Sequence, residues 1–179
     1  TGSAGLSQME EEILLLLNEE RQSAGLAPLS VFPALQNASG VRAKELVTSF
    51  SHTRPDGSTP FTALDAAGVS YRYAGENIAA GYKDARSVVQ AWMQSQGHRE
   101  NILNGNFAHV GVSMVQGGAD GYSTSFANLF VGGCAVQSLR VSESEITCKI
   151  GTQADALGLY GTAVCAAHGE SYLPLTGNL

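Results

Sequence analysis

Residues 107–131 read FAHVGVSMVQ-GGADG-YSTSFANLFV, and their pattern decides the fold class. From Phe107 to Gln116, Val110, Val112 and Met114 alternate with His109, Gly111 and Ser113. From Tyr122 to Val131 a second run of strand-forming residues follows. A period of two marks a half-buried strand, and the glycine-rich turn Gly117-Gly118-Ala119-Asp120-Gly121 between the runs makes them a hairpin. Upstream of Phe107 the apolar residues recur at helical spacing instead. Helices first and a hairpin last is an α+β pattern.

Working back from the hairpin, His98 to Leu103 is expected to form a short helix, and Asp84 caps a longer one that carries Val88, Val89, Trp92 and Met93. Residues 69–83 read as irregular or extended. Thr59 before Pro60 is a cap followed by proline at the first helical position, so Phe61 to Ala67 is expected to be a short helix closed by Gly68. Pro33 opens a helix that ends near residues 49–52. Ser7 and Glu10 have capping-box spacing, Glu10, Glu11 and Glu12 suit the positive end of a helix dipole, and Gly25 stops that first helix.

The chain has 179 residues, with 44% hydrophobic and only 15% charged residues. It is long enough to bury a core, and the apolar content excludes disorder. The net charge of −6 argues against nucleic acid as the main partner, because phosphate binding needs a basic surface. The longest aliphatic run, Ile13 to Leu17, is far too short to cross a bilayer. The first residue is Thr1, as expected of a chain processed or cut from a longer one. The low charge and Gly/Ser/Ala/Thr-rich texture point to a secreted protein.

Downstream of the hairpin the texture changes near residues 135–138. Short β-like pieces at Ile146 to Ile150, Thr162 to Ala166 and Tyr172 to Leu175 alternate with turns. This divides the chain into a domain at 1–137 and an all-β, C-terminal extension at 138–179. Cys134, Cys148 and Cys165 form no CxxC pair, which argues against a zinc ribbon or redox motif. A Cys148–Cys165 bridge with Cys134 left over and three ordinary thiols both fit the spacing. Leu173-Pro174-Leu175-Thr176-Gly177 fits the LPxTG sortase pattern, but the extension also resembles the front part of a bacterial immunoglobulin-like module. In such a module the stretch is an ordinary strand and turn, which is the favoured reading. Both readings point to a secreted or surface protein of a Gram-positive bacterium.

No nucleophile elbow, HExxH, P-loop or dinucleotide motif is present. The chemistry-bearing residues are instead His52, Glu76 and His98, each beside small or capping residues and separated by more than twenty positions. Two imidazoles and a carboxylate can ligate Zn²⁺ with a water, or share protons as an acid–base set. The alternative is three unrelated capping or surface residues. Asn18 and Arg21, one turn apart, are expected to tie the first helix to a neighbouring loop. Trp92 is expected in the core, and His109 is expected to be an ordinary strand residue.

Asn18-Glu19-Glu20-Arg21 with Gly25-Leu26-Ala27-Pro28-Leu29 resembles the opening of the CAP domain family of cysteine-rich secretory proteins, venom antigens and plant pathogenesis-related proteins. Ser51-His52, Gly75-Glu76-Asn77-Ile78-Ala79, Trp92 and Gly97-His98-Arg99-Glu100-Asn101-Ile102-Leu103 follow in the family's order. The Gly-His-Arg run and the lack of cysteine before Cys134 resemble the bacterial, SCP-like extracellular branch. The resemblance implies an α-β-α sandwich around a small antiparallel sheet. It also implies a surface cavity, which in some members binds Zn²⁺ or another divalent cation, with His52 and His98 matching the family's two histidines and Glu76 its first acidic residue. The family's second acidic residue falls at Ser95 here, so the set of four is incomplete. Glu100 could substitute for it only if it faced the same site. Ser51, Asn77, Ser95, Arg99 and Glu100 are the supporting candidates.

The function expected from these residues is a secreted bacterial protein whose cavity binds a divalent metal or polar ligand in extracellular interaction. The partner would be lipid, cell wall or host protein. The rival is a hydrolase, metal-assisted or dependent on Ser51, that uses His52 or His98 as base. A third reading is a structural module with a relic cavity.

Overall fold

The computed structural model describes residues 5–133 in full and several later strands by their backbone. Helix α1 spans Gln8–Ser23. Its capping box is formed as expected: Glu10 N–H donates to Ser7 Oγ, and the Glu10 side chain accepts from Ser7 N–H at 2.8 Å. The helix ends at Gly25, whose φ of 73° lies in the left-handed region, and the Leu26 N–H closes back on the Arg21 carbonyl. Helix α2 spans Pro33–Thr48, with proline at its first position. Helix α3 is Thr62–Ala66, slightly shorter than expected, because Thr59 offers its carbonyl to the Thr62 side chain and caps nothing with its own. Helices α4 (Ala85–Gln94, capped by Asp84 at Ser87 N–H) and α5 (Gln96–Ile102) follow.

The hairpin is β2 (His109–Gln116) and β3 (Thr124–Gly132). A third strand, β1 (Tyr73–Ala80), pairs antiparallel with β3 along its whole length, giving the order β1-β3-β2. The sequence alone predicts irregular or extended backbone for residues 69–83, without a strand's signature. Tyr73-Ala-Gly-Glu-Asn-Ile-Ala-Ala80 has no apolar alternation, because helices cover both faces of the strand. On one side α2 and α3 pack Leu35, Ala38 and Leu64 against Leu129 and Val131, and Leu46 of α2 packs with Ile78 and Ala127. On the other, Ile13, Leu17, Val88, Trp92 and Ile102 of α1, α4 and α5 pack on Val110, Val112, Phe126 and Phe130. This is the expected α-β-α sandwich. Gly111 lets α2 approach: a Cβ there would collide with the Leu35 carbonyl.

Asn18 and Arg21 do what their spacing predicts. Asn18 exchanges two bonds with the Leu29 backbone. The buried Arg21 donates to the carbonyls of Ala27, Ile102, Asn104 and Phe107 at 2.8–3.0 Å. His109, 3% exposed, bonds Ser30 Oγ and meets Phe32 edge-on. It plays a packing role.

Further along, strands β4 (Val136–Val141) and β5 (Ile146–Ile150) pair antiparallel, as do β6 (Thr162–Val164) and β7 (Tyr172–Pro174). Cys134, Cys165, His168 and residues 175–177 of the sortase-like motif lie outside the described residues, and Cys148 is described by its backbone in β5. No helix among the described residues is long and apolar enough to cross a membrane.

Candidate functional site: two histidines over a buried ion network

The sandwich brings His52, Glu76 and His98 to one place from three elements. His52 sits in the loop after α2, Glu76 is mid-strand in β1 opposite Leu129, and His98 is in the first turn of α5. Only His98 is at an element end. His52 Nδ1 lies 2.8 Å from Glu76 Oε1. A carboxylate can only accept, so Nδ1 carries the proton and the far nitrogen, Nε2, is left to the open side. Half or more of the His52 side chain is exposed, whereas that of Glu76 is 2% exposed.

The carboxylate is buried because Arg42 meets it from α2. Arg42 Nε donates to Glu76 Oε2 at 2.7 Å and Nη2 to Oε1 at 3.3 Å. The same guanidinium donates to Glu45 Oε2 at 2.6 Å and to the Ser51 carbonyl at 2.8 Å, which pins the loop that carries His52. Arg54 grips Glu45 from the other side, at 2.6 Å from Nη2 to Oε1. Burial works against the charge on Arg42, but its hydrogen bonds and its attraction to Glu76 and Glu45 outweigh that and raise its pKa. Burial likewise opposes the Glu45 charge, and the bonds from Arg54 and Arg42 overcome it and lower its pKa.

Sequence reasoning missed Arg42, Glu45 and Arg54. Val41-Arg42-Ala43-Lys44-Glu45 reads as a solvated helix stretch. The available signal was Arg42 lying three and four positions from Ser39 and Leu46, on the buried face of α2.

His98 is placed by asparagines. Asn77 Nδ2 donates to the His98 carbonyl at 3.0 Å, and Asn101 Nδ2 donates to Asn77 Oδ1 at 2.9 Å and to the Glu76 carbonyl at 3.2 Å. Asn77 therefore ties β1 to α5, and its bond is not to local backbone. Burial, and then the electrostatic influence of the nearby His52, lower the His98 pKa, so its imidazole is neutral at neutral pH.

Both histidines line a cavity of about 680 Å³, with Ser51 and Ser95 the other polar residues of its wall. The rest is apolar or aromatic and includes Phe50, Ile78, Tyr82, Trp92 and Tyr122. Trp92 is 1% exposed and donates from Nε1 to the Ile78 carbonyl, a core residue as expected. Glu100 does not line the cavity; it is exposed and accepts from Gln96. Arg99 donates to the Met93 carbonyl. Ser51 Oγ accepts from Thr53 N–H within its own loop.

Among the described residues no group of three or more His, Cys, Asp and Glu side chains is arranged to hold a metal ion. The reason is visible in the bonds. Both oxygens of Glu76 are occupied by Arg42 and His52, and position 95 offers a hydroxyl. A cation would find His52 Nε2 and His98, one short of the three protein ligands of a catalytic zinc site. The arrangement can orient an imidazole and accept a hydrogen bond from a ligand, and the apolar wall can cover its remainder.

The comparisons with known proteins agree with this architecture. The model of the CAP, or cysteine-rich secretory protein, family matches residues 14–135. Uncharacterized protein YkwD of Bacillus subtilis (strain 168) is 41% identical over 118 residues, covering 65% of this chain and 46% of its own. A crystal structure of an extracellular protein containing a SCP domain from Bacillus anthracis str. Ames superposes with a TM-score of 0.60 at 28% identity, over 73% of this chain and 45% of that one. An outer surface protein from Borrelia burgdorferi shares the fold, with a TM-score of 0.58 at 22% identity over 73% of this chain and 98% of its own. The chain thus spans less than half the length of YkwD and of the Bacillus anthracis protein. With most of its length matched by the family model and its sheet and helices arranged as in solved relatives, the chain belongs to the cysteine-rich secretory protein (CAP) family.

Proposed function

We infer that this is an extracellular binding domain of a bacterial secreted or surface protein, and that its cavity holds a ligand without turning it over. The ligand is amphipathic and uncharged at its bound end. A hydroxyl or amide N–H of the ligand donates to His52 Nε2, and its apolar part lies against Ile78, Tyr82 and Tyr122. The observation that carries this reading is the chain Arg42–Glu76–His52, which fixes one imidazole in a single tautomer beside a neutral His98 at the mouth of an apolar cavity. An oriented histidine is also what a base needs. The one serine beside it, Ser51, bonds its own loop, so a Ser51-dependent hydrolase has no support from the hydrogen bonds. The extracellular setting rests on the named relatives, a SCP-domain extracellular protein and an outer surface protein.

The test is calorimetry with Zn²⁺ at pH 7.5, together with a thermal-shift screen of short lipids, cell-wall fragments and capped peptides. Both are run on the wild type and on His52→Ala/His98→Ala. The expected result is Zn²⁺ affinity weaker than micromolar and a ligand that stabilises the wild type but not the double variant. Zn²⁺ bound tighter than micromolar through the histidines, or substrate turnover that they support, would replace this reading with a metal site or a hydrolase.

A further inference from the structure

The two edges of the sheet are treated differently. On the outer edge of β2, Gln36 bonds both the N–H and the carbonyl of Val112, Ser30 bonds the Ala108 carbonyl and the Val110 N–H, and Glu10 accepts from Met114 N–H. Side chains and a loop cover that edge, as soluble proteins usually manage exposed strands. The outer edge of β1 is covered only in its middle, at two carbonyls. Asn101 donates to the Glu76 carbonyl and Trp92 to the Ile78 carbonyl.

The register shows which groups remain. Gly81 N–H donates to the Thr124 carbonyl, so with Gly81 opposite Thr124 the odd-numbered residues of β1 bond β3. The N–H and C=O of Ile78 and Ala80 therefore point outward. Among the described residues no partner meets the Ile78 N–H, the Ala80 N–H or the Ala80 carbonyl.

Those groups open onto the cavity. Ile78, Ala79 and Ala80 all line it. Successive residues of a strand point to opposite faces, so a cavity lying against one face would touch Ile78 and Ala80 but not Ala79. Contact with all three means that the cavity runs along the edge. Its two walls belong to the two faces of the sheet: Phe50 and His52 follow α2, whereas Ala91, Trp92 and His98 come from α4 and α5.

We propose that the cavity binds a short extended peptide that adds as an antiparallel strand to the edge of β1. A peptide residue opposite Ala80 exchanges two main-chain bonds with it, and the peptide carbonyl beyond accepts from Ile78 N–H. Strand addition takes its affinity from such bonds and its specificity from alternate side chains. Here the alternate side chains meet the Phe50–His52 wall and the Trp92–His98 wall in turn. No Asp, Glu, Lys or Arg lines the cavity. The favoured peptide is therefore uncharged, with small or apolar residues and a Ser or Thr hydroxyl facing His52 Nε2. This deepens the binding reading above and rests on it, since it names the ligand class of the same cavity.

The probe is a library of N-acetylated, C-amidated pentapeptides of uncharged residues, screened on the wild type, with the best binder titrated by calorimetry. The decisive variant is Ala80→Pro. Its missing N–H points out of the sheet, so the β1–β3 bonds and the melting temperature are expected to stay, whereas peptide affinity falls about tenfold or more. Independently of whether that variant folds, N-methylation of alternate peptide amides is expected to abolish binding to the wild type in one register only, and the Ile78 and Ala80 amide resonances are expected to shift on titration. Absence of any pentapeptide binding below millimolar, or equal binding by Ala80→Pro and by every N-methylated peptide, would overturn strand addition. A non-peptide ligand lost in His52→Ala/His98→Ala but kept in Ala80→Pro, with no peptide bound, would overturn strand addition alone and leave the binding reading standing. Ligand binding indifferent to both histidines would sink that broader reading.

Discussion

Replacing Arg42 by methionine tests the ion network at its centre. Methionine keeps the apolar stem but removes donors to Glu76, Glu45 and the Ser51 carbonyl. Glu45 still holds Arg54, and the Ser51 loop is half-exposed, so neither loss is large. The Glu76 side chain, 2% exposed, is left as a buried carboxylate with only His52 beside it. Breaking a buried pair from one side typically costs about 3–5 kcal/mol, because an uncompensated charge stays behind. For a domain of this size that lowers the melting temperature by roughly 10–20 °C. Urea unfolding of wild type, Arg42→Met, Glu76→Gln and the double variant at pH 7 measures the effect, and the double variant is expected to recover about half of the loss, because it no longer buries a lone charge. An Arg42→Met cost below about 1 kcal/mol, or no recovery in the double variant, would refute the claim that the buried Glu76 carboxylate depends on Arg42.

Other expectations follow from the same geometry. His98 and His109 both have pKa values lowered, His98 by burial and by His52, His109 by burial. The unfolded chain therefore binds more protons than the folded one just below the ordinary histidine range, so stability is full above about pH 6.5 and declines as pH falls through that range. In denaturant midpoints measured from pH 7.5 to 5, His109→Asn is expected to flatten the slope, and an unchanged slope would count against burial as its cause. Arg21→Met leaves four buried or half-buried carbonyls without their donor and is expected to cost about 3–5 kcal/mol by urea unfolding. A loss under 1 kcal/mol would mean that water replaces the guanidinium.

The helices and the hairpin were legible because each carries a local signal: the Ser7–Glu10 box, Pro33, the Asp84 cap, and the alternation from Val110 to Met114. Strand β1 was not, because alternation records a face turned to water and β1 has none. It lies between helices, and its character comes from β3, more than forty residues later. The site was half legible. His52, Glu76 and His98 stand out by residue type and by resemblance, and the fold joins them. Arg42 does not, since an arginine in a helix usually marks a solvated face. Only the positions of Glu76 and Glu45 around it explain its burial, and those depend on tertiary structure.

The charges also bear on the choice between a cation and the neutral ligand proposed above. Arg42 and Arg54 are matched by Glu45 and Glu76 within the network, two against two. No carboxylate in it is left over to attract a metal toward the cavity. Were Arg42 absent, Glu76 would be an available anion beside His52, and position 95 would decide whether a second one joined it. As it stands, Ser95 adds no charge and His98 is held neutral. A desolvated cation would thus gain only two nitrogen ligands for its lost hydration, whereas a hydroxyl or amide group trades its water for an oriented acceptor at little cost. The buried arginine that steadies His52 therefore also supports the proposed reading of the rim as a hydrogen-bonding site for a neutral ligand.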